Sequence, residues 1–155
     1  MSDQEAQQAQ PPLLVNLQYV KDLSFEVPHA PLIFGDMQTV QPEIGVKVNI
    51  HANPLKGSTF SVELQLNIDA KLGEKTAFIL ELVYGGVFTL NVPDEHVQPM
   101  LLIECPRLLF PFARELVATA VRNGGFPPLL IDPIDFVGLY RQKMAQMQPS
   151  SVPTA

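Results

Sequence analysis

The stretch FSVELQLNIDAKLGEKTAFILELVY, residues 60–84, decides the fold of this chain. Apolar and polar residues alternate strictly from Phe60 to Ala70, and a period of two is typical of a strand with one buried face. Gly73 and Glu74 then provide a turn, since glycine takes the backbone conformations that tight turns need. The stretch therefore predicts two successive strands, over 60–70 and 75–84.

The second of these strands is apolar on both faces. One face carries Phe78, Leu80, Leu82 and Tyr84, and the other carries Ala77, Ile79 and Val83. Glu81 is the one charge in its interior. Helices can cover one face, so the other calls for a neighbouring subunit or for a binding site. Gly85 and Gly86 at the end of the strand predict a bend or a bulge.

Two further strands are predicted upstream, over 13–25 and 43–52. The first has one apolar face, formed by Leu13, Val15, Leu17, Tyr19, Leu23 and Phe25. The second alternates strictly from Ile44 to His51, again with a period of two. Residues 27–42 between them contain Pro and Gly at irregular positions, which predicts a loop.

Downstream of residue 90 the apolar residues recur at helical spacing. A short helix is predicted near 94–104 and a stronger one over 106–122. Pro111 indicates a kink in the stronger helix, or a start nearer Phe110, because proline disrupts a helix interior. The glycines at 124–125 would end that helix.

The last helix completes the predicted architecture. Asp132 is predicted as its N-cap and Pro133 as its first residue. Four strands followed by helices predict an α+β fold, a four-stranded antiparallel sheet with two main helices packed on one face. We expect a single domain over 13–147 between polar, Pro-bearing tails, 1–12 and 148–155, which are predicted to be disordered.

The composition argues against several classes of protein. Of the 155 residues, 46% are hydrophobic and only 17% are charged, with a formal net charge of −6. This acidity argues against nucleic-acid binding, which needs a concentrated basic face. No apolar run reaches the ~18–20 residues of a membrane span, and residues 1–10 lack the basic and apolar parts of a signal segment. With Cys105 as the single cysteine, a reducing cytoplasmic location is expected.

The sequence does not indicate catalytic chemistry. His29, His51 and His96 show no spacing typical of metal ligands. Cys105 has no CxxC partner, and Gly85-Gly86 lacks the further residues of a phosphate-binding loop. We therefore predict no enzymatic activity, no metal and no cofactor. A small-ligand enzyme or carrier would need convergent polar groups in a pocket, and the sequence offers none.

The surfaces of the predicted sheet are more informative. Its polar strand faces collect Asp22, Glu26, Glu43, Glu63, Asp69 and Glu81, against Lys47 and Lys71. Such a face either keeps the protein in solution or serves as a platform for a basic partner. Ile79 and Val83 beside Glu81 favour the platform, because they place apolar contacts within an acidic rim. The apolar segments at 32–34 and 126–131 either fold onto the core or form the walls of a groove for apolar peptides.

Four segments resemble the SecB family of bacterial protein-export chaperones: KDLSFEVPHAP (21–31), LGEKTAFILELVYGGVF (72–88), CPRLLFPFARELVATAVRNGGFPPL (105–129) and PIDFVGLYRQKM (133–144). The resemblance implies a cytosolic homotetramer, a dimer of dimers, that holds unfolded preproteins export-competent without nucleotide. It also implies delivery of this cargo to the translocase ATPase SecA, whose basic, zinc-bearing C-terminal tail docks on the acidic sheet face. Neither nucleic acid nor direct membrane insertion is implied. The alternative is a SecB-like chaperone that serves one antitoxin of a toxin–antitoxin pair.

By position in the matching motifs, the resemblance assigns three sets of residues. The contacts to SecA fall on Asp22, Glu26, Ile79 and Glu81. The residues that affect the tetramer are Leu80, Leu82 and Tyr84, with Phe112 and Leu116 on a main helix, 109–122, that would lie between the sheets of two dimers. The cargo grooves fall on Leu32, Phe34, Phe126, Leu130, Phe136, Leu139 and Tyr140.

Overall fold

A computed structural model describes residues 10–147 of the chain. The strands are β1 (Leu13–Glu26), β2 (Glu43–Pro54), β3 (Thr59–Leu72) and β4 (Lys75–Leu90). The helices are α1 (Ile33–Asp36), α2 (Asp94–Pro99), α3 (Cys105–Asn123) and α4 (Phe136–Met147), with a π-helical turn, Met100–Glu104, between α2 and α3.

The strands form one antiparallel sheet in the order β1-β4-β3-β2. Tight turns join β2 to β3 and β3 to β4, and Gly57 and Gly73 take φ values of 59° and 63° in them. Residues with a Cβ atom rarely adopt these positive φ values, which is why glycine occupies both positions. The predicted α+β class and four-stranded antiparallel sheet are confirmed.

The helices pack on one face of this sheet, which we call the helix face. β3 contributes Val62, Leu64, Leu66, Ile68 and Ala70 to the core, and α3 contributes Leu109, Ala113, Val117 and Val121. The spacing of three and four residues in α3 brings its contributors onto one stripe, as the strict alternation does in β3. The opposite side of the sheet, which we call the open face, carries the polar residues of the strands.

β1 departs from the predicted alternation. Register shifts lie between Val15 and Leu17 and again between Val20 and Asp22, so each bulge inserts one extra residue. The segment between the bulges is therefore turned over. Leu17 and Tyr19, predicted on the apolar face with Leu13, lie on the open face instead.

The Gly85-Gly86 pair forms no bulge in β4, although a bulge is one of the two predicted outcomes. The strand is paired continuously with β3 through both glycines. Their role is to allow close approach of other groups. A Cβ atom at Gly85 would lie 2.7 Å from Cζ of Tyr19, and one at Gly86 would lie 2.7 Å from Cε2 of Phe88 and 3.1 Å from Cδ2 of Leu109.

The helix predicted over 106–122 is found as α3, which begins at Cys105 and runs through Pro111, so the alternative start near Phe110 is wrong. The predicted start of the last helix is also wrong. α4 begins at Phe136, and its first turn is capped by Asp135, because Oδ1 of Asp135 accepts a hydrogen bond of 3.0 Å from the Gly138 amide. Asp132 and Pro133 belong to the preceding loop rather than to the helix.

The predicted tails lie mostly outside the described residues, which begin at Gln10 and end at Met147. Within the described part, Asn91 ties down the chain just before β1. Its backbone amide donates to the Pro12 carbonyl at 2.9 Å, and its Nδ2 donates to the Pro11 carbonyl at 3.0 Å. These bonds hold the start of β1 against the end of β4.

Candidate functional site

Four carboxylates lie close together on the open face, and we call them the acidic patch: Asp22, Glu26, Asp69 and Glu81. The patch occupies three successive rungs of cross-strand partners. On the first rung Asp22 is opposite Val83, and on the second Ser24 is opposite Glu81. On the third, Ile79 of β4 lies between Glu26 of β1 and Asp69 of β3. Neighbouring strands are ~4.8 Å apart and same-face residues ~6.8 Å apart along a strand, so the carboxylates occupy three successive rungs. Three of the four predicted SecA contacts belong to this patch, and the fourth, Ile79, lies between Glu26 and Asp69 on its outer rung.

The charge of the acidic patch is not neutralised by ion pairs within the described residues. Among residues 10–147, none of its four carboxylates forms an ion pair. Ile79, whose surface is 36% exposed, adds an apolar contact inside the acidic rim, as the sequence predicts. A ligand that offers both cations and an apolar side chain would find matching groups here.

One open-face cation was missed by the sequence reasoning. Lys21 is the extra residue of the second β1 bulge, and its Nζ lies 2.8 Å from Oε1 of Glu63. The hydrogen bond to Glu63 raises the pKa of Lys21 above its ordinary value, and the charge of Glu63 adds to the effect. The sequence does signal the bulge, since Lys21 stands where the alternation calls for an apolar residue and Val20 where it calls for a polar one. Nothing in the sequence identifies Glu63 as the partner.

The helix face is not fully covered by the helices of its own chain. An apolar strip remains exposed on it, formed by Val15, Val20, Leu23, Leu108 and Phe112. Phe112 is 50% exposed, and its ring stacks on that of Tyr84 with centroids 6.2 Å apart. The Tyr84 hydroxyl in turn donates a hydrogen bond of 2.9 Å to Oε1 of Gln18 on β1.

The five predicted tetramer residues fall in two environments. Leu80, Leu82 and Tyr84 are buried in the core of the single chain, under α3. Phe112 belongs to the apolar strip, and Leu116 is half-buried beside it. A change at the buried residues would therefore reach another subunit only through the position of β1 or α3.

Two open hollows flank the covered part of the helix face. The first, about 350 Å³ in volume, is lined mainly by apolar residues, among them Met37, Ile44, Phe78, Phe126 and Leu129. The second, also about 350 Å³, lies between β2 and α4 and is lined in part by Val48, Ile50, Leu102, Leu139 and Tyr140. Both have the concave, partly apolar character of ligand sites.

The predicted cargo residues occupy different positions relative to these hollows. Phe126 lines the first hollow, and the Phe34 ring lies 5.2 Å from it, centroid to centroid. Leu139 and Tyr140 line the second hollow. Leu32 and Leu130 protrude into solvent, Leu32 with 81% of its surface exposed.

Phe136 is the exception among the predicted cargo residues. It is only 2% exposed, because the first turn of α4 directs its ring onto Phe110 in the core.

The sequence reasoning also missed lining residues such as Ile44, Val48 and Ile50. It assigned them to the buried face of β2, and β2 is an edge strand whose helix face is only half covered.

The one cysteine of the chain lies in the core. Cys105 is fully buried, and this burial raises the pKa of its thiol to about 12, so the nucleophilic thiolate is disfavoured. Residues 10–147 contain no group of three or more His, Cys, Asp or Glu side chains that could hold a metal ion. None of the helices in this range is long and apolar enough to cross a membrane.

An α+β domain with an acidic open face and apolar hollows beside its helices offers surfaces on which other polypeptides can bind, as a chaperone requires. The family model described as preprotein translocase subunit SecB matches residues 6–147. Protein-export protein SecB of Paramagnetospirillum magneticum is 56% identical over 137 residues, covering 88% of each chain. The protein of the same name from a Bradyrhizobium species is 54% identical over 154 residues, covering 92% of this chain and 94% of its own. The chain belongs to the SecB family.

This membership confirms the predicted export chaperone of SecB type. A solved SecB-like chaperone from Mycobacterium tuberculosis, in complex with a ChAD peptide from the HigA1 antitoxin, superposes with a TM-score of 0.60. It is 14% identical and covers 79% of this chain and 91% of its own, so the likeness concerns the fold alone. The toxin–antitoxin alternative is not favoured, because relatives more than 50% identical are named protein-export proteins.

Proposed function

We propose that this chain is an ATP-independent holdase of the cytoplasm that binds unfolded preproteins and delivers them to SecA. The proposal rests on the separation of two surfaces by one sheet. The acidic patch faces away from the helices, and the two apolar hollows lie on the helix side. A protein that must hold cargo and a delivery partner at once needs such a separation.

Cargo binding is assigned to the two hollows. An unfolded segment would insert apolar side chains there, beside Phe126 and Leu129 in the first hollow and Leu139 and Tyr140 in the second. Each large side chain removed from water contributes ~1.5–3 kcal/mol. A few such contacts offset the cost of ordering the segment and give micromolar binding, about 8 kcal/mol, to many different sequences.

SecA binding is assigned to Asp22, Glu26, Ile79 and Glu81. The basic tail of SecA would bring its cations to the unpaired carboxylates of the acidic patch and an apolar contact to Ile79. Exposed charges of opposite sign accelerate encounter and are screened at high salt. This contact should therefore weaken steeply with ionic strength, whereas cargo binding in the apolar hollows should not.

Assembly as a homotetramer, a dimer of dimers, is assigned to the apolar strip and to β1. Five apolar residues are exposed together on the helix face, and β1 is an edge strand without a partner on its outer side within the described chain. Both features are costly in water and are commonly covered by another subunit. Light scattering should give a mass near four subunits, and a strict monomer would contradict this assignment.

The division of surfaces is tested by charge reversal. Asp22→Lys and Glu81→Lys should each weaken binding of the SecA tail at least tenfold and leave binding of an unfolded preprotein within twofold. Glu95→Lys is the matched control, because Glu95 is an exposed carboxylate on α2, away from the open face. Equal loss of both ligands in the Asp22 and Glu81 variants would refute the division.

A further inference from the structure

The open face changes character along its strands. Three rungs hold the acidic patch, and the middle one also carries Lys47 at its far end, on the edge strand β2. The next rung consists of Tyr19, Gly85, Glu63 and His51 across the four strands. Beyond it the rungs carry no charge, with Leu17 opposite Val87 and Leu14 opposite Thr89. The rung of Tyr19 and Glu63 is thus the boundary between an acidic end and a neutral end, and we call it the boundary rung.

Lys21 crosses the sheet at the boundary rung. It belongs to β1 and bonds Glu63 of β3, so its side chain passes over β4, which lies between them. A bulge in β1 makes this crossing possible. The bulge between Val20 and Asp22 inserts Lys21 as an extra residue, and bulges redirect side chains in this way. Gly85 has no side chain, which leaves room over β4 for the Tyr19 ring.

The crossing leaves a cation exposed and an anion covered. The side chain of Lys21 is 57% exposed, whereas that of Glu63 is only 14% exposed. A partner approaching the open face would therefore meet the ammonium group of Lys21 and not the carboxylate of Glu63. The hydrogen bond to Glu63 fixes the position of the ammonium group and raises the pKa of Lys21.

Resting on the proposed docking function, we propose that Lys21, held by Glu63, is a specificity-determining residue of the docking surface. Its ammonium closes the acidic patch at the boundary rung and confines the cations of a basic partner segment to the rungs of Asp22, Glu81 and Glu26. These three rungs extend over ~14 Å along the strands. A cation placed one rung further would meet the charge of Lys21 and would be repelled.

The test compares four variants in their binding to two probes, a short oligolysine peptide and the C-terminal tail of SecA, at low salt. Lys21→Met removes the cation and uncovers Glu63, and Lys56→Met is the matched control in the β2–β3 turn. Glu63→Gln releases Lys21 from its partner, and the double variant removes both charges. Thermal unfolding of each variant checks that the fold is retained.

We expect Lys21→Met to bind oligolysine about threefold to tenfold more tightly than Lys56→Met does, the effect of one charge ~7 Å away at an effective dielectric constant between about 80 and about 35. Glu63→Gln should bind it more weakly, and the double variant should return near the unmodified chain. Equal oligolysine affinities of Lys21→Met and Lys56→Met would overturn the inference while leaving docking intact. The inference would also be overturned if the double variant bound oligolysine as tightly as Lys21→Met does. If the unmodified chain binds neither probe, the proposed docking function fails, and the inference fails with it.

Discussion

At the scale of single residues, absent side chains matter as much as present ones. Gly85 lets Tyr19 lie flat on the open face, and Gly86 lets Phe88 and Leu109 meet under α3. The two glycines are adjacent in sequence but face opposite sides of the sheet, so they allow close approach on different surfaces. One shapes the open face, and the other shapes the core.

Gly86→Ala should lower the free energy of unfolding by about 1–3 kcal/mol, because the added methyl group enters a packed core. The new Cβ would lie 2.7 Å from the Phe88 ring and 3.1 Å from Leu109, and neither side chain has space to withdraw. Urea unfolding measures this change. Gly35→Ala is the control, since nothing lies within 4 Å of its added Cβ, and an equal effect of both changes would contradict the packing argument.

At the scale of elements, the interior of each strand could be predicted from the sequence, and the irregularities could not. β3 follows its alternation along its whole predicted length because every second residue is buried. The bulges of β1 escaped prediction because Leu17 and Tyr19 are apolar although they lie on the open face. The π-helical turn before α3 likewise depends on backbone hydrogen bonding and leaves no pattern of residue types.

The start of α4 was mispredicted because two aspartates precede it. Asp132 and Pro133 match the residue preferences of a cap and a first helical turn, but Asp135 makes the capping bond. Asp135→Ala should therefore cost about 0.5–2 kcal/mol of unfolding free energy, and Asp132→Ala should cost much less. Thermal unfolding of the two variants decides between them, and a larger loss for Asp132→Ala would contradict the assignment.

At the scale of the whole molecule, the excess of apolar residues is divided among three places. The core takes most of it, the hollows take part, and the apolar strip of Val15, Val20, Leu23, Leu108 and Phe112 remains exposed. Periodicity alone could predict the core and the acidic face of the sheet. It could not predict the hollows, because each forms between segments that are far apart in the chain. The first lies where the loop before β2 meets the loop after α3, and the second lies between β2 and α4.

The central claim is that cargo and SecA use separate surfaces of the same sheet. Titration of the SecA tail into protein already saturated with an unfolded preprotein tests it most directly. If the surfaces are separate, the tail should bind the loaded protein with an affinity within about twofold of that for the empty protein, and the cargo should stay bound. Displacement of the cargo by the tail alone, or failure of the tail to bind the loaded protein, would contradict it.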